Sequence, residues 1–179
     1  LHYLAGQLEA GDIISAARRM LVIASEDIGL AYPQCAAIVK ACVDSAFQLG
    51  LPEARIPLAE AIILMATAPK SNSAINGIDA AIADIRAGKA GDIPAHLKDT
   101  HYGGAKKLGR GLTYQYPHMY PNHWVQQEYL PEELRGREYY HPNDRGYEHE
   151  VSQRLDKVRS ILHSETAPDG YTESKEQNG

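Results

Sequence analysis

Residues 33–50, Pro-Gln-Cys-Ala-Ala-Ile-Val-Lys-Ala-Cys-Val-Asp-Ser-Ala-Phe-Gln-Leu-Gly, decide the fold class. Pro33 suits the first turn of a helix, where a missing N–H leaves nothing unpaired, and Gly50 suits the stop after Leu49. At helical spacing, Cys35, Ile38, Val39, Cys42, Ala46 and Leu49 share one face, while Lys40, Asp44 and Gln48 line the other. The period is that of an amphipathic helix and not the alternation of a strand. The two cysteines stand seven apart, about 10 Å of helical rise. A disulfide spans at most about 7 Å between Cα atoms, so they do not pair. Two thiols without a disulfide framework indicate a reducing compartment, the cytoplasm.

The pattern repeats on both sides. Residues 1–10 form a short helical segment ending at Gly11, and Asp12 is the N-cap of a helix to about Ile28, closed by Gly29. Glu26 and Asp27 stand near the C-terminus of that helix, where negative charge opposes the macrodipole. A local rule broken in this way marks a contact or functional surface, unless Asp27 caps the next turn. Beyond Gly50, Pro52 and Pro57 punctuate a turn before an apolar helix through about Ala68, with Pro57 in its first turn and Pro69 as its end. Ser71 or Asn72 caps a further helix in which Ile75, Ile78, Ile82 and Ile85 recur at three and four, stopped by Gly88 and Gly91. Five helical segments with short linkers read as a compact all-α bundle over residues 1–92.

Composition changes near Ile93. Residues 93–147 hold eight of the eleven tyrosines, the only tryptophan, five of the ten prolines and six of the fifteen glycines. The stretch is too aromatic for disorder and too rich in Pro and Gly for regular helix. It reads as an ordered excursion packed on the bundle or on a neighbouring subunit. A final helix follows over residues 148–163, with Val151, Leu155, Val158 and Leu162 on one face, and residues 164–179 form a polar acidic tail.

At 179 residues with a net charge of −5, the chain is large enough for a real core and is not a generally basic nucleic-acid binder. No run approaches the roughly 18 apolar residues of a membrane helix, and no signal peptide is evident. The chain starts at Leu1 and already in helix, so it reads as a piece of a longer protein with motifs of its own upstream.

Chemistry is sparse. Gly88-Lys89 is followed by Ala90, and Gly103-Gly104-Ala105-Lys106 lacks the spacing and hydroxyl of a phosphate-binding loop. Among the eight histidines, His96, His101, His118 and His123 fall in the irregular segment, without zinc-finger or HExxH spacing. Ser25 lacks a nucleophile elbow. No catalytic, metal-binding or cofactor-binding residue is therefore assigned. The strongest charge signal is residues 96–119, where Lys98, Lys106, Lys107 and Arg110 against Asp99 give +3, and the rest of the chain sums to −8. These cations, interleaved with Tyr102, Tyr114 and Tyr116, fit contact with phosphate and bases. They also fit a solvated basic loop that balances acidic helices on a partner subunit. Tyr102, Trp124, Tyr129, Arg137, Tyr139 and Tyr140 are of the types enriched at subunit contacts, and also pack well internally.

Several stretches together resemble one family. Ala17-Arg-Arg-Met-Leu-Val-Ile-Ala-Ser-Glu-Asp-Ile-Gly29 is similar to the "ARRL…ASEDIG" signature opening the C-terminal domain of the RarA/MgsA family of AAA+ ATPases, relatives of the Werner-helicase-interacting protein. Gly50-Leu-Pro-Glu-Ala-Arg-Ile-Pro-Leu-Ala59, Ala68-Pro-Lys-Ser-Asn72 and His101-Tyr-x-Gly-Ala-Lys-Lys-Leu-Gly109 match further. So do His123-Trp124, Gln127-x-Tyr-Leu-Pro131, Leu134-Arg-Gly-Arg137, Tyr139-Tyr140 and Asp144-Arg-Gly146. The matches run in order over roughly residues 3–147. Tyr32 departs from the pattern, standing where a small acidic residue is usual, and the stretch beyond about Leu162 matches nothing in it.

The resemblance implies a helical body like a clamp-loader collar, holding subunits as a homotetramer. It implies an N-terminal motor that binds ATP and magnesium, so that the whole protein is a DNA-dependent ATPase of replication forks and recombination. Single-stranded-DNA-binding protein is the implied partner. No family catalytic residue falls on this chain. The expectation is an oligomerisation domain without catalysis; the alternative is a DNA- or partner-binding module using the basic loop 98–110.

Overall fold

The computed structural model describes residues 1–98, 114–120 and 123–163, with side chains as far as residue 160. Its helices are α1 (His2–Glu9), α2 (Ile13–Ile23), α3 (Cys35–Leu49), α4 (Arg55–Thr67), α5 (Ser73–Arg86) and α6 (Tyr147–His163). The described residues contain no strand, and none of their helices is long and apolar enough to cross a membrane. The fold is an all-helical compact domain, as the spacing predicts.

Asp12 caps α2, its carboxylate accepting from the Ser15 amide at 3.0 Å. α3 packs along α4, its most extensive partner, and α1 and α2 close the same core. Cys35, Val39, Cys42, Val43 and Ala46 are buried there, and both thiols are free. Lys40 and Asp44 pair at 2.5 Å on the outer face. Leu49, expected on the inner face, is exposed.

Two expectations change. α2 does not continue to Ile28 as α-helix: residues Ala24–Ile28 widen into a π-helical turn, followed by a 3-10 turn over Gly29–Ala31. Ile28 is fully buried, and Gly29 takes a positive φ of 48°. A Cβ on Gly29 would lie 2.7 Å from the Ser71 carbonyl oxygen, so only glycine fits. The 3-10 turn has no side-chain cap, so Asp27 does not cap it. The Asp27 backbone carbonyl instead accepts from the Ser71 amide at 2.8 Å.

The second change concerns α5. The helix forms where its period places it, but Ile78, Ile82 and Ile85 are exposed, and the buried residues are Ser73, Gly77 and Asp84. Asn72 stands at the N-cap position without a side-chain cap; Ser71 Oγ accepts from the Ser73 amide at 3.2 Å. The helix is turned so that its polar edge faces inward.

Candidate functional site

The inward edge of α5 meets the irregular segment. Asp84 accepts from Arg137 Nε at 2.8 Å and the Tyr139 hydroxyl at 3.2 Å, with Lys89 Nζ at 3.5 Å. Burial pushes the Asp84 carboxyl up, but the Arg137 and Tyr139 hydrogen bonds and the charges of Arg137 and Lys89 outweigh it and hold it below its ordinary value. Arg137 also lies over the Tyr139 ring, 5.3 Å from its centroid. A Cβ on Gly77 would stand 3.0 Å from the Tyr139 carbonyl oxygen, which explains the glycine in mid-helix.

Glu148, in the first turn of α6, is fully buried. It accepts from Ser73 Oγ, from the Tyr140 hydroxyl at 2.8 Å and from the Asn143 amide at 3.3 Å. Burial raises the Glu148 carboxyl, yet hydrogen bonds from Ser71, Ser73, Tyr140 and Asn143 outweigh that and keep it below the usual range. Burial, the bond to Glu148 and its charge push Tyr140 up to about 12. Asn143 Nδ2 donates to the Lys70 carbonyl at 3.2 Å, while Lys70 Nζ donates to Met65 and Ala68 carbonyls at 2.8 and 2.6 Å, closing the end of α4. Gly146, with φ 55°, passes so close to the Ala31 carbonyl oxygen that a Cβ would be 2.1 Å away. Two buried carboxylates and two glycines thus lace residues 137–148 across α5 and the α4–α5 turn. This is a clasp.

Of the residues singled out by type, Arg137, Tyr139 and Tyr140 are brought together in this clasp. Tyr114, Tyr116, Trp124 and Tyr129 are exposed. The Tyr116 ring lies 5.1 Å from His118, and His118 lies 4.9 Å from His123. Gln127 Nε2 donates to the Tyr129 hydroxyl at 2.9 Å. Lys98 donates to Asp92 at 2.5 Å, which partly neutralises that end of the basic loop. Tyr102, Lys106, Lys107 and Arg110 lie outside the described residues. Among the described residues no group of three His, Cys, Asp or Glu is placed to hold a metal ion. The organising pair, Asp84 and Glu148, escapes a reading by residue type. Glu148 looks like an ordinary first-turn acid, and its partner Ser73 is 75 positions away.

Two grooves on the outer surface are lined mainly by apolar side chains. One groove of about 770 Å³ runs between α2, α3 and α5, bordered by Ile14, Leu21, Phe47, Ile75 and Ile78, with Arg18 and Glu26 among its few charged residues. Ile14 is 70% exposed, Phe47 50% and Ile78 57%. A second groove of about 910 Å³ lies between α1 and α4, bordered by Leu1, Leu4, Ile56 and Ile63. Large open apolar grooves on a small domain mark interaction surfaces.

Residues 1–159 match the family model described as MgsA AAA+ ATPase C terminal. The chain is similar to a replication-associated recombination protein A of Bacillus subtilis, 57% identical over 159 residues that make up 88% of this chain and 38% of that protein. It is 48% identical over 163 residues to an uncharacterized AAA domain-containing protein of Mycobacterium tuberculosis, covering 90% of this chain and 36% of the relative. A replication-associated recombination protein A of Haemophilus influenzae is 36% identical over 161 residues, covering 89% and 36%. The chain spans little more than a third of the length of these relatives.

Proposed function

The chain belongs to the family of MgsA AAA+ ATPase C-terminal domains, and we propose that it is the part through which the subunits of a replication-associated ATPase assemble. The observation that carries this reading is the pair of apolar grooves left open by a domain whose core is otherwise closed. Buried between copies, such faces supply the non-directional free energy that holds subunits together. The clasp supports the same reading from inside. It fixes α5 by its polar edge, so the isoleucines point outward on a rigid support.

In the whole protein, this reading gives a homotetramer in the cytoplasm, with ATP and magnesium handled by a motor outside this chain. DNA at replication forks is the substrate and single-stranded-DNA-binding protein the partner. Light scattering at tens of micromolar tests it: the expected mass is four times the 19.7 kDa of one chain, with no ATP hydrolysis. Monomer alone at that concentration would contradict it. A second reading, contact with DNA through the loop 98–110, draws support from the exposed Tyr114 and Tyr116 at its end. Salt-sensitive anisotropy with forked DNA, lost in Lys106→Ala/Lys107→Ala, is its expected signature.

A further inference from the structure

We propose that the exposed isoleucine stripe of α5 and the groove between α2, α3 and α5 form one self-complementary surface, and that its occupant is the same surface of a second copy of this chain. The inference rests on the assembly reading above and says which face carries it.

The stripe and the groove are continuous. Ile75 and Ile78 line the groove, and Ile82 and Ile85 extend the stripe beyond it. A surface that offers both a ridge and an adjoining furrow satisfies a two-fold axis: each copy's distal stripe enters the other's groove. The charges agree with that pairing. At roughly 100° per residue, Asp79 and Arg86 fall along one edge of the stripe, and both are exposed. They are seven residues apart, about 10 Å along the helix. Arg18 and Glu26 border the groove eight residues apart, about 12 Å along α2 and its π-helical extension. The order is positive then negative on the groove, and negative then positive on the stripe. Arg18 therefore meets the partner's Asp79, and Glu26 the partner's Arg86, at matching intervals. Like charges would face each other if the stripe entered in the reverse direction, so the pairs fix its sense.

The test is sedimentation velocity of the whole chain at tens of micromolar, with helicity checked by circular dichroism. Ile78→Glu/Ile82→Glu is expected to lower the assembled mass at least twofold with helicity intact, since both side chains are exposed. Arg18→Glu is expected to weaken assembly in the same direction, and Arg18→Glu/Asp79→Arg to restore it. If the isoleucine variant loses helix, the charge swap decides by itself. Wild-type mass in both Ile78→Glu/Ile82→Glu and Arg18→Glu overturns this inference while the assembly reading stands. A wild-type chain that is monomeric throughout overturns the assembly reading, and this inference with it.

Discussion

α3 and α5 are both amphipathic by sequence, yet they dock in opposite senses. α3 buries Cys35, Val39 and Ala46 and leaves Lys40 and Asp44 in water. α5 buries Ser73, Gly77 and Asp84 and leaves its isoleucines outside. Ordinary burial accounts for α3. For α5 the inward face is chosen by hydrogen bonds, because Asp84 and Ser73 have partners waiting on residues 137–148. Buried polar groups demand such partners, whereas an apolar stripe can remain exposed until another surface covers it. The contrast separates the part of the molecule that holds itself together from the part that holds something else.

Breaking the first kind of contact has the largest expected effect. Leu58→Ala, at a fully buried position in the α3–α4 core, is expected to cost about 2–5 kcal/mol in urea unfolding. Glu148→Ala leaves the Ser73, Tyr140 and Asn143 donors without their acceptor, and is expected to cost about 2–3 kcal/mol. Hydrogen exchange checks where the loss falls: α5 and residues 137–148 open, while α3 and α4 keep their protection.

The pH dependence sharpens the comparison, because it acts on the clasp and spares the apolar core. Glu148 and Asp84 are held below their ordinary values in the folded state. Their stabilising contribution is therefore complete above the unfolded values and lost as pH falls through the lower, folded ones. Glu148→Gln is expected to flatten that acid limb in a series of unfolding curves. Tyr140 shifts the other way, to about 12 from 10.0, so its contribution is lost as pH rises from 10 toward 12. Tyr140→Phe is expected to remove the alkaline loss. The smallest effect falls on the stripe: Ile78→Ala in dilute, unassembled chain is expected to change stability by only about 0.5 kcal/mol.

How much of this was legible follows from the range of the interactions. Local ones were readable. Asp12 capping α2, the stop at Gly50, the inner face of α3 as far as Ala46 and the start of α6 all depend on neighbours within a turn or two. The π-helical turn at Ala24–Ile28 was not, because the same residues suit a continuous helix until Gly29 has to pass Ser71. The acidic pair did mark an unusual place, but the Asp27 contact there is made by its backbone. The orientation of α5 was hidden for a related reason: periodicity gives the width of an apolar face and is silent on whether its cover comes from the same chain. Residue type picks out Arg137, Tyr139 and Tyr140 but not Asp84 and Glu148, the carboxylates that position them.

The central claim is that the isoleucine face of α5 is exposed in one copy because a second copy covers it. Hydroxyl-radical footprinting of the chain across a dilution series tests this most directly. Modification of Ile78, Ile82, Ile85 and Phe47 is expected to fall as concentration rises into the assembled range. Equal modification of these residues at every concentration, in a sample shown by mass to assemble, would contradict it.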